Sequence, residues 1–99
     1  MRTAFIVLKS PQEQDPSHAI EVLADRDDAT VILLEDGVLQ ALSPRAWERL
    51  ARVSSEILIS REDVEAKGLL GRELAAGKLV DYPEIIECIM ERTERTVTV

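Results

Sequence analysis

The chain has 99 residues, 45% of them hydrophobic, and its 19 acidic and 12 basic residues give a formal net charge of −7 at pH 7. This length predicts a single domain over residues 1–99 with a core of modest size. The acidic balance argues against direct binding to nucleic acid, because such affinity depends on lysine and arginine neutralising phosphates. No apolar run approaches the roughly 18 residues that span a membrane. The single cysteine excludes an internal disulfide and fits a cytoplasmic protein.

In the first half of the chain, short apolar runs alternate with residues that cap helices. Residues 4–8 predict a first strand. Asp15 predicts the start of a helix, because aspartate caps helices and the following Pro16 is tolerated in the first turn. The uninterrupted aliphatic run 31–34 predicts a second strand, buried on both faces of a sheet. A short helix is predicted over 37–42.

A serine–proline pair marks the next helix. Ser43 and Pro44 predict a helix through Val53, with Trp47 and Leu50 on its inward face. Tryptophan is usually buried but is also enriched at protein interfaces. Trp47 and Leu50 are therefore candidates either for the core or for a partner surface.

The alternation of strands and helices continues in the second half. Residues 57–59 predict a third strand, and Ser60 with Asp63 forms a capping box for a helix through residue 67 that Gly68 closes.

The last third of the chain is predicted to contain two more strands and a helix. A loop with one helical turn is predicted over 69–77, followed by a short strand over 78–80. Asp81 begins a further capping box, for a helix that extends to about Arg92. The alternating β-branched residues 96–99 predict a final edge strand.

Strands that alternate with helices through short connections predict a three-layer α/β/α fold around a mostly parallel, five-stranded sheet. In such a sheet the residues that follow the strands meet at the carboxyl edge, where open α/β sheets place their ligand sites. The candidate site residues at this edge are Ser10, Asp36, Gly37, Ser60, Asp81 and Tyr82.

The polar residues at this edge also have structural explanations. Asp36-Gly37 is ordinary turn chemistry, although receiver domains and nucleotide enzymes carry an acid at a comparable place. Ser10 ends a strand before a proline, and no general base is in view, because His18 lies a loop and a helical turn away. We therefore favour the structural interpretation for Asp36 and Ser10 and expect His18 on the solvated surface.

No catalytic, nucleotide-binding or metal-binding signature is present, so neither a cofactor nor a metal is expected. The glycines follow a helix instead of opening one, which does not match a phosphate-binding loop. His18 and Cys88 are the only soft metal ligands and lie far apart in the sequence.

Cys88 is the one candidate for covalent sulfur chemistry. The predicted buried stripe of its helix consists of Ile85, Ile86, Ile89 and Met90. At about 100° per residue, Cys88 lies roughly 130° from the centre of this stripe, on its flank and outside the deep core. Thiolate reactivity requires a helix N-terminus or a nearby cation, but Cys88 is mid-helix and shares its side with Glu84 and Glu91, opposed by Arg92 alone. Ionisation is therefore hindered, and no catalytic residue is assigned.

Four motifs occur in order over nearly the whole chain: KSP at 9–11, VILLEDGV at 31–38 followed by Ala41, EDVEAKGL at 62–69, and LVDYPEII at 79–86. Together they resemble the DsrH/TusB family, small subunits of the DsrEFH-like superfamily.

The resemblance implies a DsrEFH-like fold and a cytoplasmic sulfur relay of three homologous subunits, with DsrE/TusD-like and DsrF/TusC-like proteins as partners. Such complexes pass persulfide sulfur, either toward 2-thiouridine at the tRNA wobble position or within dissimilatory sulfur oxidation. The principal active cysteine belongs to the larger subunit. Some DsrH-type members carry a cysteine in the first helix, but the matching stretch 17–21 has no thiol here. The resemblance therefore gives Cys88 no role.

The leading hypothesis is a non-catalytic subunit of a sulfur-relay complex. Two alternatives stay open: a sulfur carrier that accepts a persulfide on Cys88, and a stand-alone homo-oligomeric α/β module that binds a small anion near Ser10, Asp36 and Asp81. The two acids make an anion site at this edge electrostatically unfavourable.

Overall fold

The computed structural model describes residues 1–71 and 77–99, and its centre is a sheet of five strands. The strands are β1 (Thr3–Val7), β2 (Ala29–Leu33), β3 (Glu56–Ser60), β4 (Lys78–Val80) and β5 (Arg95–Thr98). They lie in the order β4-β3-β2-β1-β5, and each pairs with its neighbours in parallel. The predicted parallel five-stranded sheet is confirmed, including the final edge strand.

Helices connect these strands. They are α1 (Ser17–Leu23), α2 (Pro44–Val53), α3 (Arg61–Ala66) and α4 (Tyr82–Glu87), and α4 continues as a π-helical turn over Cys88–Arg92. Two 3₁₀ segments, Arg26–Asp28 and Glu35–Leu42, precede β2 and α2. The short helix predicted over 37–42 is therefore part of a longer 3₁₀ segment. None of the described helices is long and apolar enough to span a membrane.

The predicted caps of α2, α3 and α4 are all formed. In each, a side-chain oxygen accepts a hydrogen bond of 3.0–3.3 Å from the backbone N–H three residues later; the capping residues are Ser43, Ser60 and Asp81. Gly68 follows α3 with a φ of +69°, as a closing glycine requires. Helix α1 begins at Ser17, one residue later than predicted, and Asp15 Oδ1 accepts both its N–H and its hydroxyl. Most of the loop predicted over 69–77 lies outside the described residues.

The order of the strands decides which face of the sheet each helix covers. From β1 to β4 the chain moves across the sheet in one direction, so right-handed crossovers place α1, α2 and α3 on one face, called the first face. The connection from β4 returns across the sheet to β5 at the opposite edge. Helix α4 therefore lies alone on the other face, called the second face.

Each face has its own apolar core, because successive residues of a strand point to opposite sides. In the first-face core, alternate strand residues such as Phe5, Val31 and Ile57 pack with Ile20, Leu50 and Val64 of the three helices. In the second-face core, the strand residues Ala4, Ile32, Leu58 and Val80 pack with Ile85 and Cys88 of α4 and its π-helical turn.

The predicted buried stripe of α4 is wrong at two positions. Ile86 is 57% exposed and Met90 73% exposed, whereas Cys88, predicted to lie outside the deep core, is 1% exposed. Ile85, Cys88 and the half-buried Ile89 contact the sheet instead. The predicted stripe and the observed one both recur at helical spacing, because this helix has apolar side chains on two adjacent flanks. In the folded protein, the flank with Cys88 packs against the sheet, and the flank with Ile86 and Met90 does not.

Candidate functional site

The carboxyl edge of the sheet brings together the residues that follow β1 to β4. Because these strands are parallel, the chain emerges here at Ser10, Asp36, Ser60 and Asp81, in the same order in which the strands lie. The 3₁₀ segment Glu35–Leu42, α3 and α4 also begin at this edge. Its polar side chains are therefore positioned by strand ends and helix starts.

Asp63 is the centre of the hydrogen-bond network at this edge. Its Oδ2 accepts the backbone N–H of Glu35 at 2.9 Å, and its Oδ1 accepts the Tyr82 hydroxyl at 2.6 Å. The adjacent carboxylate of Glu62 accepts the Tyr82 backbone N–H, with oxygens at 3.1 and 3.0 Å. Helix α3 thereby joins the turn after β2 to the start of α4.

These hydrogen bonds set the ionisation of Asp63 and Tyr82. Burial opposes ionisation of Asp63, but the hydrogen bonds from Glu35 and Tyr82 outweigh it and hold the pKa of Asp63 below its ordinary value of 3.8. The hydrogen bond to Asp63 raises the pKa of Tyr82 above 10.0. At neutral pH the Asp63 carboxylate is therefore ionised, and it accepts a hydrogen bond from the neutral Tyr82 hydroxyl. General acid–base catalysis instead needs a group that titrates near the working pH.

Asp36 and Gly37 stabilise the turn that follows β2. The carboxylate of Asp36 forms an ion pair with Lys67, at the end of α3. Gly37 is buried, its N–H donates to the Leu34 carbonyl at 2.8 Å, and a Cβ added to it would overlap the carbonyl oxygen of Val7. Glycine at this position therefore allows the 3₁₀ segment to approach β1 closely.

Ser10 lies in a turn and is held by a carboxylate. Its hydroxyl and its backbone N–H both donate to Glu13 Oε1, at 3.2 and 3.3 Å. His18 is exposed on α1, as predicted, and makes no hydrogen bond to Ser10 within the described part of the chain. Ser10 therefore lacks the imidazole partner of an activated serine nucleophile.

Cys88, the first residue of the π-helical turn, lies in the second-face core. Burial raises the pKa of its thiol above 9.0; the Glu56 carboxylate adds to this shift, and the Arg92 guanidinium opposes it. Arg92 is itself paired with Glu56, with its Nη1 at 3.6 Å from the carboxylate. A protonated thiol without access to solvent is a poor nucleophile. The sequence predicted hindered ionisation from neighbouring carboxylates, whereas burial is the largest cause.

The two interface candidates lie in different environments. Leu50 is 1% exposed and belongs to the first-face core, so its side chain offers no free surface to a partner. Trp47 is half-buried against the same core and lines an open pocket of about 330 Å³ together with Arg26 and Lys78.

Sequence reasoning missed the residues that connect the elements at the carboxyl edge. Glu62, Asp63 and Lys67 were noted in the motif at 62–69, and Asp63 also in a capping box, but none was chosen as a site candidate. In such a box the carboxylate reaches back to the N–H of the cap. Here Asp63 instead binds groups from two other elements, contacts that a local pattern does not report. No cluster of His, Cys, Asp and Glu suited to a metal occurs within residues 1–71 and 77–99.

Most of this sequence matches a known family: the family model for "DsrH like protein" covers residues 9–95. The chain belongs to the DsrH family. The matched region includes Cys88 and all of the carboxyl-edge candidates. The resemblance to DsrH/TusB proteins predicted from the four motifs is confirmed.

Curated relatives of this DsrH-family chain match it over nearly its whole length. Protein TusB of Erwinia tasmaniensis is 32% identical over 90 residues, which cover 90% of this chain and 93% of that protein. Protein TusB of Yersinia pestis is 25% identical over 92 residues, covering 92% and 95%. Both similarities therefore extend over nearly the whole domain.

A solved structure has the same fold. The ychN protein from E. coli superposes with a TM-score of 0.75 over 100% of both chains, at 15% sequence identity. At this identity the similarity shows a shared architecture, which confirms the predicted DsrEFH-like α/β fold.

Proposed function

We propose that this DsrH-family protein is a non-catalytic subunit of a cytoplasmic sulfur-relay complex, assembled with DsrE/TusD-like and DsrF/TusC-like proteins. Membership of the DsrH family and the 32% identity to Protein TusB of E. tasmaniensis support the sulfur-relay role. That identity favours 2-thiolation of the tRNA wobble uridine over sulfur oxidation as the pathway served.

The observation that carries the non-catalytic assignment is the state of the single thiol. Cys88 is the only cysteine in the chain and is 1% exposed, with its pKa raised by burial. Transfer of a persulfide requires an accessible thiolate that can attack the sulfur of a donor. Sulfur is therefore carried by cysteines of the partner subunits, and this chain acts through assembly.

The carboxyl edge supports the same proposal. Its carboxylates cap helices, pair with Lys67 or accept hydrogen bonds from Glu35 and Tyr82. Each of these contacts stabilises the fold. An acidic edge also repels the anionic substrates that such sheets often bind at this position.

Affinity purification from the native cell tests the assembly. We expect the tagged protein to co-purify with DsrE-like and DsrF-like subunits that mass spectrometry identifies. A stable homo-oligomer that recruits neither subunit would instead favour the stand-alone module.

Persulfidation tests the non-catalytic assignment. The purified protein is incubated with a cysteine desulfurase and cysteine, and its intact mass is then measured. We expect no added sulfur on this chain, in contrast to a DsrE-like subunit treated in the same way. An adduct of one sulfur atom that disappears in Cys88→Ala would establish the sulfur-carrier alternative.

A further inference from the structure

We infer that the turn after β2, residues 34–37, has two conformations: the Asp63 carboxylate holds Glu35 in a left-handed conformation, and Tyr82 of α4 acts on the turn through the same carboxylate. When the hydrogen bond to Asp63 is lost, Glu35 leaves the left-handed region. This conformational coupling goes beyond the proposed function, and its tests need no partner subunit.

Glu35 has an uncommon backbone conformation. Its φ is +53°, and within residues 1–71 and 77–99 only glycines share a positive φ with it. For a residue with a Cβ, the left-handed region is disfavoured by roughly 5- to 30-fold in population. The Glu35 side chain is exposed, and the one hydrogen bond to a side chain that the structure describes for this residue is donated by its backbone N–H. Contacts of the backbone must therefore hold this conformation.

The two ends of the turn are fixed to β1. The N–H of Leu34 donates to the Val7 carbonyl at 3.1 Å. Gly37 packs against the same carbonyl, because an added Cβ would overlap its oxygen. The Gly37 N–H also donates to the Leu34 carbonyl at 2.8 Å, which closes the turn. A change of conformation at Glu35 is therefore confined to the middle of the turn.

The middle of the turn is held from α3. Asp63 Oδ2 accepts the Glu35 N–H at 2.9 Å, and the carboxylate of Asp36 forms an ion pair with Lys67. Asp63 and Lys67 are four residues apart, so they lie on the same side of the helix. A hydrogen bond to an ionised acceptor is stronger than one between neutral groups. Asp63 therefore favours the conformation that directs the Glu35 N–H toward it.

The same carboxylate is bound by α4. Asp63 Oδ1 accepts the Tyr82 hydroxyl at 2.6 Å, while Oδ2 accepts the Glu35 N–H. Because the two oxygens belong to one rigid group, a shift at the start of α4 turns the carboxylate and changes its bond to Glu35. Coupling of this kind requires an element with discrete states. The left-handed and right-handed regions of Glu35 are such states, because sterically forbidden backbone angles separate them.

Removal of the carboxylate tests the hold on Glu35. Asp63→Ala removes the acceptor, and Glu65→Ala removes an exposed carboxylate from the same helix as a control. A strong NOE between the amide and α protons of Glu35 reports positive φ, because these protons are then close together. We expect wild type and Glu65→Ala to show this NOE and Asp63→Ala to lose it. If Asp63→Ala retains the NOE, the contacts with β1 suffice and the inference is overturned.

Glycine at position 35 tests the strain in a variant that we expect to fold well. Glu94→Gly is the matched control, because Glu94 is exposed and its φ is not positive. Both substitutions loosen the unfolded chain in the same way, but only Glu35→Gly relieves a left-handed conformation. We expect the folding equilibrium constant of Glu35→Gly to exceed that of Glu94→Gly by roughly 5- to 30-fold, as measured by urea denaturation. Equal constants would mean that no strain is held at Glu35, which overturns the inference.

Removal of one hydroxyl tests the link to α4. Tyr82→Phe keeps the ring and removes the hydrogen bond to Asp63, whereas Glu87→Gln changes an exposed side chain of α4 as a control. We expect Tyr82→Phe to weaken the Glu35 NOE and to increase microsecond-to-millisecond exchange at the Glu35 amide, measured by relaxation dispersion. Glu87→Gln should leave both unchanged. Glu35 signals that are identical in Tyr82→Phe and wild type would overturn the coupling to α4.

Discussion

The two faces of the sheet differ in how completely this chain covers them. Three helices lie on the first face, and their buried residues form one continuous core with β1, β2 and β3. A single helix lies on the second face, where Thr96 and Thr98 of β5 are exposed; Ile86 of α4 and Met90 of its π-helical turn are exposed as well. The first face is therefore covered along β1, β2 and β3, whereas part of the second face is exposed in this chain. This difference follows from strand order, because only the last connection crosses the second face.

We expect the largest difference between the faces when side chains are truncated and the free energy of unfolding is measured. Leu50→Ala on the first face removes a side chain that is 1% exposed and should lower the free energy of unfolding by about 2–5 kcal/mol. Met90→Ala removes a side chain that is 73% exposed and should change the free energy of unfolding by less than about 0.5 kcal/mol. Urea denaturation of both variants measures these values. Equal losses would mean that the isolated chain already buries the second face as well as the first.

A close backbone approach adds a further constraint on the first face. Gly37→Ala brings a Cβ into the carbonyl oxygen of Val7, so we expect a loss of about 3 kcal/mol as the 3₁₀ segment moves away. Gly68→Ala is the control, because its added Cβ meets no atom within 4 Å and only the positive φ is penalised, by about 1 kcal/mol. A smaller loss for Gly37→Ala than for Gly68→Ala would contradict this reasoning.

The Asp63 network joins the two faces, because its bond from Tyr82 links α3 to α4. Asp63→Asn should lower the free energy of unfolding by about 1 kcal/mol and increase amide exchange in α4 more than in α2. Asp36→Asn, which removes only an exposed ion pair with Lys67, should cost less. Uniform exchange across both helices would show that the network does not hold α4.

Because the pKa of Asp63 is lowered in the folded protein, the contribution of its carboxylate to the free energy of unfolding depends on pH. The carboxyl is ionised in the folded protein at pH values where it would be protonated in the unfolded chain. Its stabilisation is therefore present above 3.8 and is lost as the pH falls below that value through the folded-state pKa. The difference in stability between wild type and Asp63→Asn should shrink over this range.

The smallest expected effect concerns Cys88 on the second face. Because burial raises its pKa above 9.0, the folded thiol stays protonated while the unfolded thiol ionises. The stability advantage of wild type over Cys88→Ala is thus full below pH 9.0 and declines at higher pH, by less than about 1.4 kcal/mol per pH unit. Urea denaturation near pH 7 and about pH 10 measures the decline. A constant advantage would mean that the thiol is accessible in the folded state.

Much of the fold could be read from local patterns. The uninterrupted run 31–34 predicted a fully buried strand, and β2 lies at the centre of the sheet. Ser43, Ser60 and Asp81 predicted helix starts and act as caps. The apolar run and the capping residues each involve neighbours within one strand or one helical turn, so they can be recognised from the sequence alone.

The candidate site was less predictable, because its contacts join elements distant in sequence. Asp63 binds the N–H of Glu35 and the hydroxyl of Tyr82, which lie 28 and 19 residues away. The buried flank of α4 was also misjudged, since the helix has apolar side chains on two flanks and periodicity cannot choose between them.

The sequence by itself determined a parallel α/β domain of the DsrH family, because strands, caps and motifs are local patterns. It also determined that the chain has one thiol, because it contains one cysteine, and that this thiol is poorly activated. Only the tertiary structure decided that Cys88 is buried and that Ile86 and Met90 are exposed. The physical reason is that burial depends on the direction in which α4 crosses the sheet, and strand order sets that direction.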